Sequence, residues 1–225
     1  DERIRFLMEE SGFVESNFLV KEGLINMDRF TAMFGMVGLA EIVNHLLNAK
    51  EESERYGHSK IADELGVRII AKLEEEVNKH NSPYCKFSDG KFLLHAQVGI
   101  DTDINISPGC RIPIGEEPEI LDHIMHSSYF HKFFPSGIGD IFRFDSTAKN
   151  NLNYVLDILK GAMKVGMRYI SFYSSDSDVV RITGYLVKRS DMEKLEAGEA
   201  VLNGAAVLGL GSVKNQHVLD RKERK

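Results

Sequence analysis

Side chains able to do chemistry are sparse in this 225-residue chain. Cys85 and Cys110 are its two thiols. Standing alone, they cannot build a disulfide framework or a four-cysteine zinc site, and they suit a reducing compartment. His123, His126 and His131 are the densest group of potential metal ligands, and His123 and His126 share a helix face. No acidic or cysteine ligand accompanies them at an established spacing, so they read as core or surface histidines and no metal is expected. Asp101 with Asp103, and Glu116 with Glu117, offer the paired carboxylates that acid–base catalysis uses. Nothing in the sequence makes them converge, and they read as turn and helix-start residues. No P-loop, dinucleotide-binding glycine pattern or nucleophile elbow is present.

The remaining candidate is a glycine. Residues 179–187 read Val-Val-Arg-Ile-Thr-Gly-Tyr-Leu-Val, an apolar run broken at Arg181, Thr183 and Gly184. Taken alone, an isolated glycine in such a run marks a strand with a bulge.

The elements that would position these residues alternate in type. Asn26 to Lys50 carries apolar residues at helical spacing, with Asn26 as N-cap, and predicts a mostly buried helix in which Gly35 and Gly38 permit a close approach or a break. Lys60 to His80 predicts a helix with Ile61, Leu65, Ile69, Leu73 and Val77 on its packed stripe and Glu74, Glu75 and Glu76 in solvent. Ser82-Pro83 ends it, and Lys91 to Ile100 predicts a buried strand. A loop-rich stretch around Ser107-Pro108-Gly109-Cys110 follows. Glu117 to Lys132 predicts a helix, Asp140 to Asp145 a short strand, Asn150 to Val165 a helix, and Met167 to Tyr173 a strand. Alternation of this kind implies an α/β architecture with parallel strands joined by crossovers. After Tyr173 the polar residues 174–178 open a glycine-punctuated remainder, which sets a boundary between residues 1–173 and 174–225.

Composition excludes other classes. With 43% hydrophobic and 28% charged residues the chain is globular in type, not disordered. No apolar run is long enough to cross a membrane, and the charged first residues do not resemble a signal peptide. A net charge of −6 leaves no footprint for nucleic acid. The locally basic Lys214 to Lys225 reads as a solvated helix end. A cytoplasmic location is the simplest expectation.

Arg181-Ile182-Thr183-Gly184-Tyr185 resembles the Arg-Val-x-Gly-Tyr signature of glycyl radical enzymes, a group that includes pyruvate formate-lyase and anaerobic ribonucleotide reductase. Those enzymes carry the motif near the C-terminus, and here 41 residues follow Gly184. Phe34-Gly35-Met36-Val37-Gly38-Leu39-Ala40-Glu41 is similar to a Gly-Leu-x-Glu helix of the anaerobic ribonucleotide reductases. Ser127-Ser128-Tyr129-Phe130-His131 and Ser136-Gly137-Ile138-Gly139-Asp140 echo the same enzymes more weakly. The text Lys188-Arg189-Ser190-Asp191, with Lys214-Asn215-Gln216-His217-Val218-Leu219, is most similar to YjjI-type glycine radical enzymes.

The resemblance implies an α/β barrel region over residues 1–173 and a glycyl radical subdomain over 174–225. Gly184 would store the unpaired electron, because an α-carbon radical is delocalised only if the carbon flattens, and a Cβ would clash as it did so. Arg181 and Tyr185 would pin the loop by hydrogen bonds, and the apolar flanks Val179, Val180, Ile182, Leu186 and Val187 would bury it. No bound cofactor is implied. A separate radical S-adenosylmethionine activase would install the radical, the substrate would be a small organic molecule, and a homodimer is left open. Family members use a thiyl cysteine far upstream of the glycine, so that residue is expected in a preceding half, with no turnover by these residues alone. Cys110, flanked by Pro108 and Gly109 at a loop tip, stands as a lesser candidate beside the reading of a passive buried thiol, and Cys85 ranks below it. Departures matter too: residues 174–178 lack the cysteines of the reductases' zinc site, and no Cys-Cys pair like that of pyruvate formate-lyase exists. The alternative class is a non-catalytic radical-domain fragment or spare part that docks onto a partner chain.

Overall fold

A computed structural model describes residues 2–96, 98, 105–182, 185–203 and 206–208. The chain divides into two compact units, Asp1–Phe34 with Ala71–Leu94, and Gly35–Ile70 with His95–Lys225. In chain order the elements are α1 (Glu2–Arg5), α2 (Phe13–Ser16), α3 (Phe18–Lys21), β1 (Met33–Met36), α4 (Leu39–Leu47), α5 (Lys60–Val77), β2 (Leu93–Ala96), α6 (Ile120–His131), β3 (Ile141–Phe144), α7 (Thr147–Asn150), α8 (Leu152–Lys164), β4 (Ser171–Ser174), β5 (Val179–Ile182), β6 (Tyr185–Lys188), α9 (Arg189–Glu196), β7 (Val201–Asn203) and β8 (Ala206–Leu208). Among the described residues the strands form two-stranded sheets and close no barrel. No helix there is long and apolar enough to cross a membrane.

The continuous helix expected over Asn26 to Lys50 is not formed. Asn26 caps a single 3₁₀ turn, its Oδ1 accepting from the Asp28 N–H at 2.9 Å, and β1 follows. Gly38 then takes φ +80°, a left-handed conformation that glycine adopts without strain, and α4 starts at the next residue. The break falls at the second of the two glycines in that apolar run. In the unit containing residues 71–94, Cys85 is fully buried and its Sγ accepts from the Ala32 N–H at 3.3 Å. The rings of Phe34, His80 and Phe92 cluster there with centroids 5.3 to 6.1 Å apart.

In the other unit, β3 and β4 pair in parallel, Ile141 opposite Ser171 and Phe144 opposite Ser174. A parallel pair needs a crossover, and α7 and α8 supply it as the alternation predicts. Asn151 starts α8 by accepting from the Tyr154 N–H at 3.1 Å, which satisfies one orphan donor of the first turn. Ile124 of α6, Phe142 of β3, Ala162 of α8 and Met167 make the core, with Ile120, Ile158 and Ile170 against it. The predicted stripe of α5 holds at Val77, which is buried, but along the first half of the helix it is turned by one residue. Ile61 is exposed, while Ala62, Gly66 and Ile70 are buried. A β-carbon at Gly66 would lie 2.8 Å from Tyr56 Cε2 and 3.3 Å from Phe130 Cζ, so the missing side chain allows the approach that sets the helix's rotation.

Candidate functional site

The strand pair β5–β6 brings together the two ends of the glycine motif. The strands run antiparallel, with Val179 opposite Lys188, Arg181 opposite Leu186 and Ile182 opposite Tyr185. Thr183, Gly184 and the Tyr185 side chain lie outside the described residues, and with them the expectation of a buried glycine loop. The flanks divide: Val180 and Ile182 are buried, Val179 and Val187 are half-buried, and Leu186 is exposed.

Arg181 is the charge in this apolar strand, and it is 1% exposed. A guanidinium is buried so deeply only when carboxylates and carbonyls meet it. Its Nη1 donates to Glu117 Oε1 at 2.8 Å and to the Ile141 carbonyl at 2.9 Å, and its Nη2 donates to Asp140 Oδ1 at 3.3 Å. Asp140 stands at the head of β3, where Oδ1 also accepts from the Ile141 N–H at 2.7 Å. Its Oδ2 is 2.7 Å from His123 Nε2 on α6. Arg111, from the loop before α6, places Nε 3.9 Å from Asp140 Oδ1 and donates to the Gly139 carbonyl. Burial alone would raise the Asp140 carboxyl. The charge and hydrogen bond of His123, then the charges of Arg181 and Arg111, outweigh it and hold the group well below the usual carboxylate range. The cluster is therefore a clamp built around an ionised Asp140, which has no proton to exchange near neutral pH.

The other candidates fall elsewhere. Cys110 is not at an open loop tip: it is 3% exposed, and its carbonyl accepts from Tyr56 Oη at 2.8 Å. Burial, with a smaller contribution from Asp140, pushes its thiol well above the ordinary value. The three histidines part company. His123 faces Asp140. His126 Nδ1 is 3.0 Å from Asp63 Oδ1. His131 Nδ1 accepts from the Arg168 N–H at 3.1 Å. Burial, with Arg168 adding and Asp140 opposing, lowers the His131 pKa to about 4. Glu41 of the Gly-Leu-x-Glu text uses Oε1 to accept from the Ser107 N–H at 2.9 Å and hydroxyl at 2.7 Å. Glu116 pairs with Arg55 at 3.2 Å. Asp101 and Asp103 lie outside the described residues, as does Lys214 to Lys225.

Sequence reasoning missed Glu117, Asp140, His123 and Arg111 as a group. The available signal was Arg181 itself, because one arginine inside an apolar strand demands buried anions. Which anions answer it depends on long-range contacts across 41 and 64 positions, which local pattern does not carry.

Comparison with known proteins defines the class. The family described as "Glycyl radical enzyme YjjI-like" matches over residues 1–224, and the chain belongs to that family. Among its relatives is an "Uncharacterized protein" of Haemophilus influenzae, 43% identical over 227 residues, covering 100% of this chain and 44% of that protein. Another is the "Uncharacterized protein YjjI" of Escherichia coli, 42% identical over 224 residues, covering 100% of this chain and 43% of that protein. The chain thus spans less than half the length of these relatives.

Proposed function

We propose that these residues are the radical-bearing portion of a glycyl radical enzyme, with Gly184 storing the unpaired electron for hydrogen abstraction from a small organic substrate under anaerobic conditions. The observation that carries the reading is the family match over residues 1–224, and Arg181 to Tyr185 is the text within it that resembles the glycine motif. The buried anchoring of Arg181, two residues before Thr183, supports it. An arginine fixed by Glu117, Asp140 and the Ile141 carbonyl holds the strand leading into the motif at a set position.

In this reading residues 1–173 belong to an α/β barrel region and 174–225 form the radical subdomain. A separate radical S-adenosylmethionine activase removes one hydrogen atom from the Gly184 α-carbon. The glycyl radical then takes the hydrogen atom of a cysteine thiol, and the resulting thiyl takes one from the substrate. Burial of Cys85 and Cys110 favours a thiyl cysteine elsewhere in the longer protein. The kinship with anaerobic ribonucleotide reductase and pyruvate formate-lyase is part of the same proposal, as is a cytoplasmic setting.

The test is oxygen cleavage. Oxygen adds to an α-carbon radical, and the peroxyl species collapses by breaking the chain at that residue. After anaerobic reaction with a competent activase and exposure to air, mass spectrometry should find a fragment containing Tyr185 to Lys225, with the oxidised two-carbon remnant of Gly184 on the Tyr185 nitrogen. Gly184→Ala should abolish both the radical's paramagnetic signal and the cut. An intact wild-type protein after verified activase turnover, or equal cleavage in the Ala variant, refutes the assignment.

A further inference from the structure

We propose that the cleft between α5 and α6 is a binding site for a small hydroxylated organic anion, in which His126 meets the hydroxyl and Arg68 with Lys132 meets the anionic group. The cleft has a volume of about 970 Å³ and is lined by the first half of α5 and one face of α6. That size fits a small metabolite with room for water. It lies within one compact unit, and the inference rests on its geometry, not on Gly184.

His126 lines the cleft and is 3% exposed, yet its Nε2 makes no hydrogen bond. A buried polar atom without a partner is the mark of a group kept for a ligand or water. Its two nitrogens are not equivalent. Nδ1 lies 3.0 Å from Asp63 Oδ1, and that oxygen is fixed by the Gly57 N–H at 2.8 Å. A carboxylate can only accept, so the ring proton belongs on Nδ1 and Nε2 presents its lone pair. The Tyr56 ring stands edge-on to the imidazole with centroids 4.5 Å apart and restrains its tilt. An acceptor so held calls for a donor, and a ligand hydroxyl supplies one.

The charged end of the cleft follows from helix direction. Asp63 meets His126, and one turn on, Gly66 faces Phe130, so α5 and α6 run the same way. Two residues further along each helix stand Arg68 and Lys132, at one end of the cleft. Among the described residues neither has a carboxylate within ion-pair distance, and Lys132 has only the Phe133 ring, 4.9 Å from its Nζ to the centroid. The acidic residues of the cleft are engaged or distant: Asp63 as above, Glu64 with Lys60 at 3.8 Å, and Asp122 toward the opposite end. Between the cations and His126, Tyr129 presents ring surface for a short carbon chain, and Met125 lines the cleft on the other side of His126.

Calorimetric titration of the full-length protein tests the site with four probes. Lactate carries a hydroxyl and a carboxylate, glycerol 3-phosphate carries hydroxyls and a phosphate, propionate lacks the hydroxyl, and glycerol lacks the charge. Lactate or glycerol 3-phosphate should bind, whichever of the two does so identifying the anion, and propionate and glycerol should bind at least tenfold more weakly. Arg68→Gln with Lys132→Gln, both on exposed side chains, should weaken the binding probe at least tenfold. His126→Phe, an apolar ring among aromatic neighbours, should erase the preference for lactate over propionate. Should that variant not fold, the wild-type discrimination and the charge variants decide alone. No binding by either anion, equal binding of propionate and lactate, or indifference to loss of both cations overturns the proposal.

Discussion

Replacing Arg181 with Met keeps the length of the side chain and removes the guanidinium contacts to Glu117, Asp140 and the Ile141 carbonyl. Arg181, Glu117 and Asp140 each expose no more than 2% of their side chains, so screening by water does little to reduce the effect. Breaking a buried pair by removing one partner costs about 3–5 kcal/mol. Asp140 keeps His123 at 2.7 Å and Arg111 at 3.9 Å, and Glu117 keeps the Gly115 N–H at 2.7 Å, which places the cost near the lower bound, about 3 kcal/mol. Arg181→Lys retains the charge but cannot span two carboxylates and a carbonyl, and should lose about half as much. Urea unfolding of the full-length protein measures both, and a cycle with Glu117→Gln should show coupling of at least about 1 kcal/mol. The pH sign is fixed by Asp140. Its folded carboxyl is held low, so its contribution is present above the unfolded value near 4 and is lost only as pH falls through the lower folded value. The Met penalty should therefore be the same at pH 7 and pH 5. A penalty below about 1 kcal/mol, or absence of coupling to Glu117, would refute the clamp.

Two further predictions concern the packing around the cluster. His131 binds its proton at about 4 when folded and near 6.5 when unfolded, so stability should fall by about 3 kcal/mol as pH drops through that window, and His131→Asn should flatten the slope in urea unfolding curves. Gly66→Ala should destabilise by about 1–2 kcal/mol despite the better helix propensity of alanine, because the new carbon meets the held Tyr56 ring, whereas Gly161→Ala in α8, with open space around it, should stabilise by about 0.5–1 kcal/mol; thermal unfolding of the pair shows whether the signs differ.

Periodicity located α5, α6, β3, α8 and β4 because each is an apolar pattern of one period bounded by its own stop signals. It failed over Asn26 to Lys50, where apolar residues at helical spacing run through Gly35 and Gly38 and the left-handed turn at Gly38 decides the matter. It also misjudged the face of α5 except at Val77. Ile61 and Leu73 are larger than Ala62 and Gly66, and hydropathy favours the larger residues. The approach of Tyr56 and Phe130 needs the smaller ones, and that requirement resides in distant residues. In α8 the apolar set is split likewise, with Leu152, Leu156 and Met163 exposed while Ala162 is buried. The motif at Gly184 was legible as text, whereas the ion cluster around Arg181 was not, because Glu117 looked like an ordinary helix-start acid.

The cluster gives a physical reason for an arginine at this place. A buried ion network adds little stability over apolar residues of the same volume, since desolvation offsets most of the attraction. What it adds is direction. Three acceptors on two segments, Glu117 ahead of α6 and Asp140 with the Ile141 carbonyl at β3, fix a planar guanidinium in position and rotation. Apolar contacts would let β5 slide or twist by fractions of an ångström, because van der Waals wells are shallow and non-directional. The clamp also keeps its central carboxylate charged, since Asp140 stays ionised at any ordinary pH. A hydrogen-atom transfer, which moves no net charge, gains nothing from a titrating group beside it, but it depends steeply on the separation of the two atoms. If Gly184 carries the radical as proposed, an anchor rigid in geometry, with its central carboxylate always charged, is the kind of support the transfer requires.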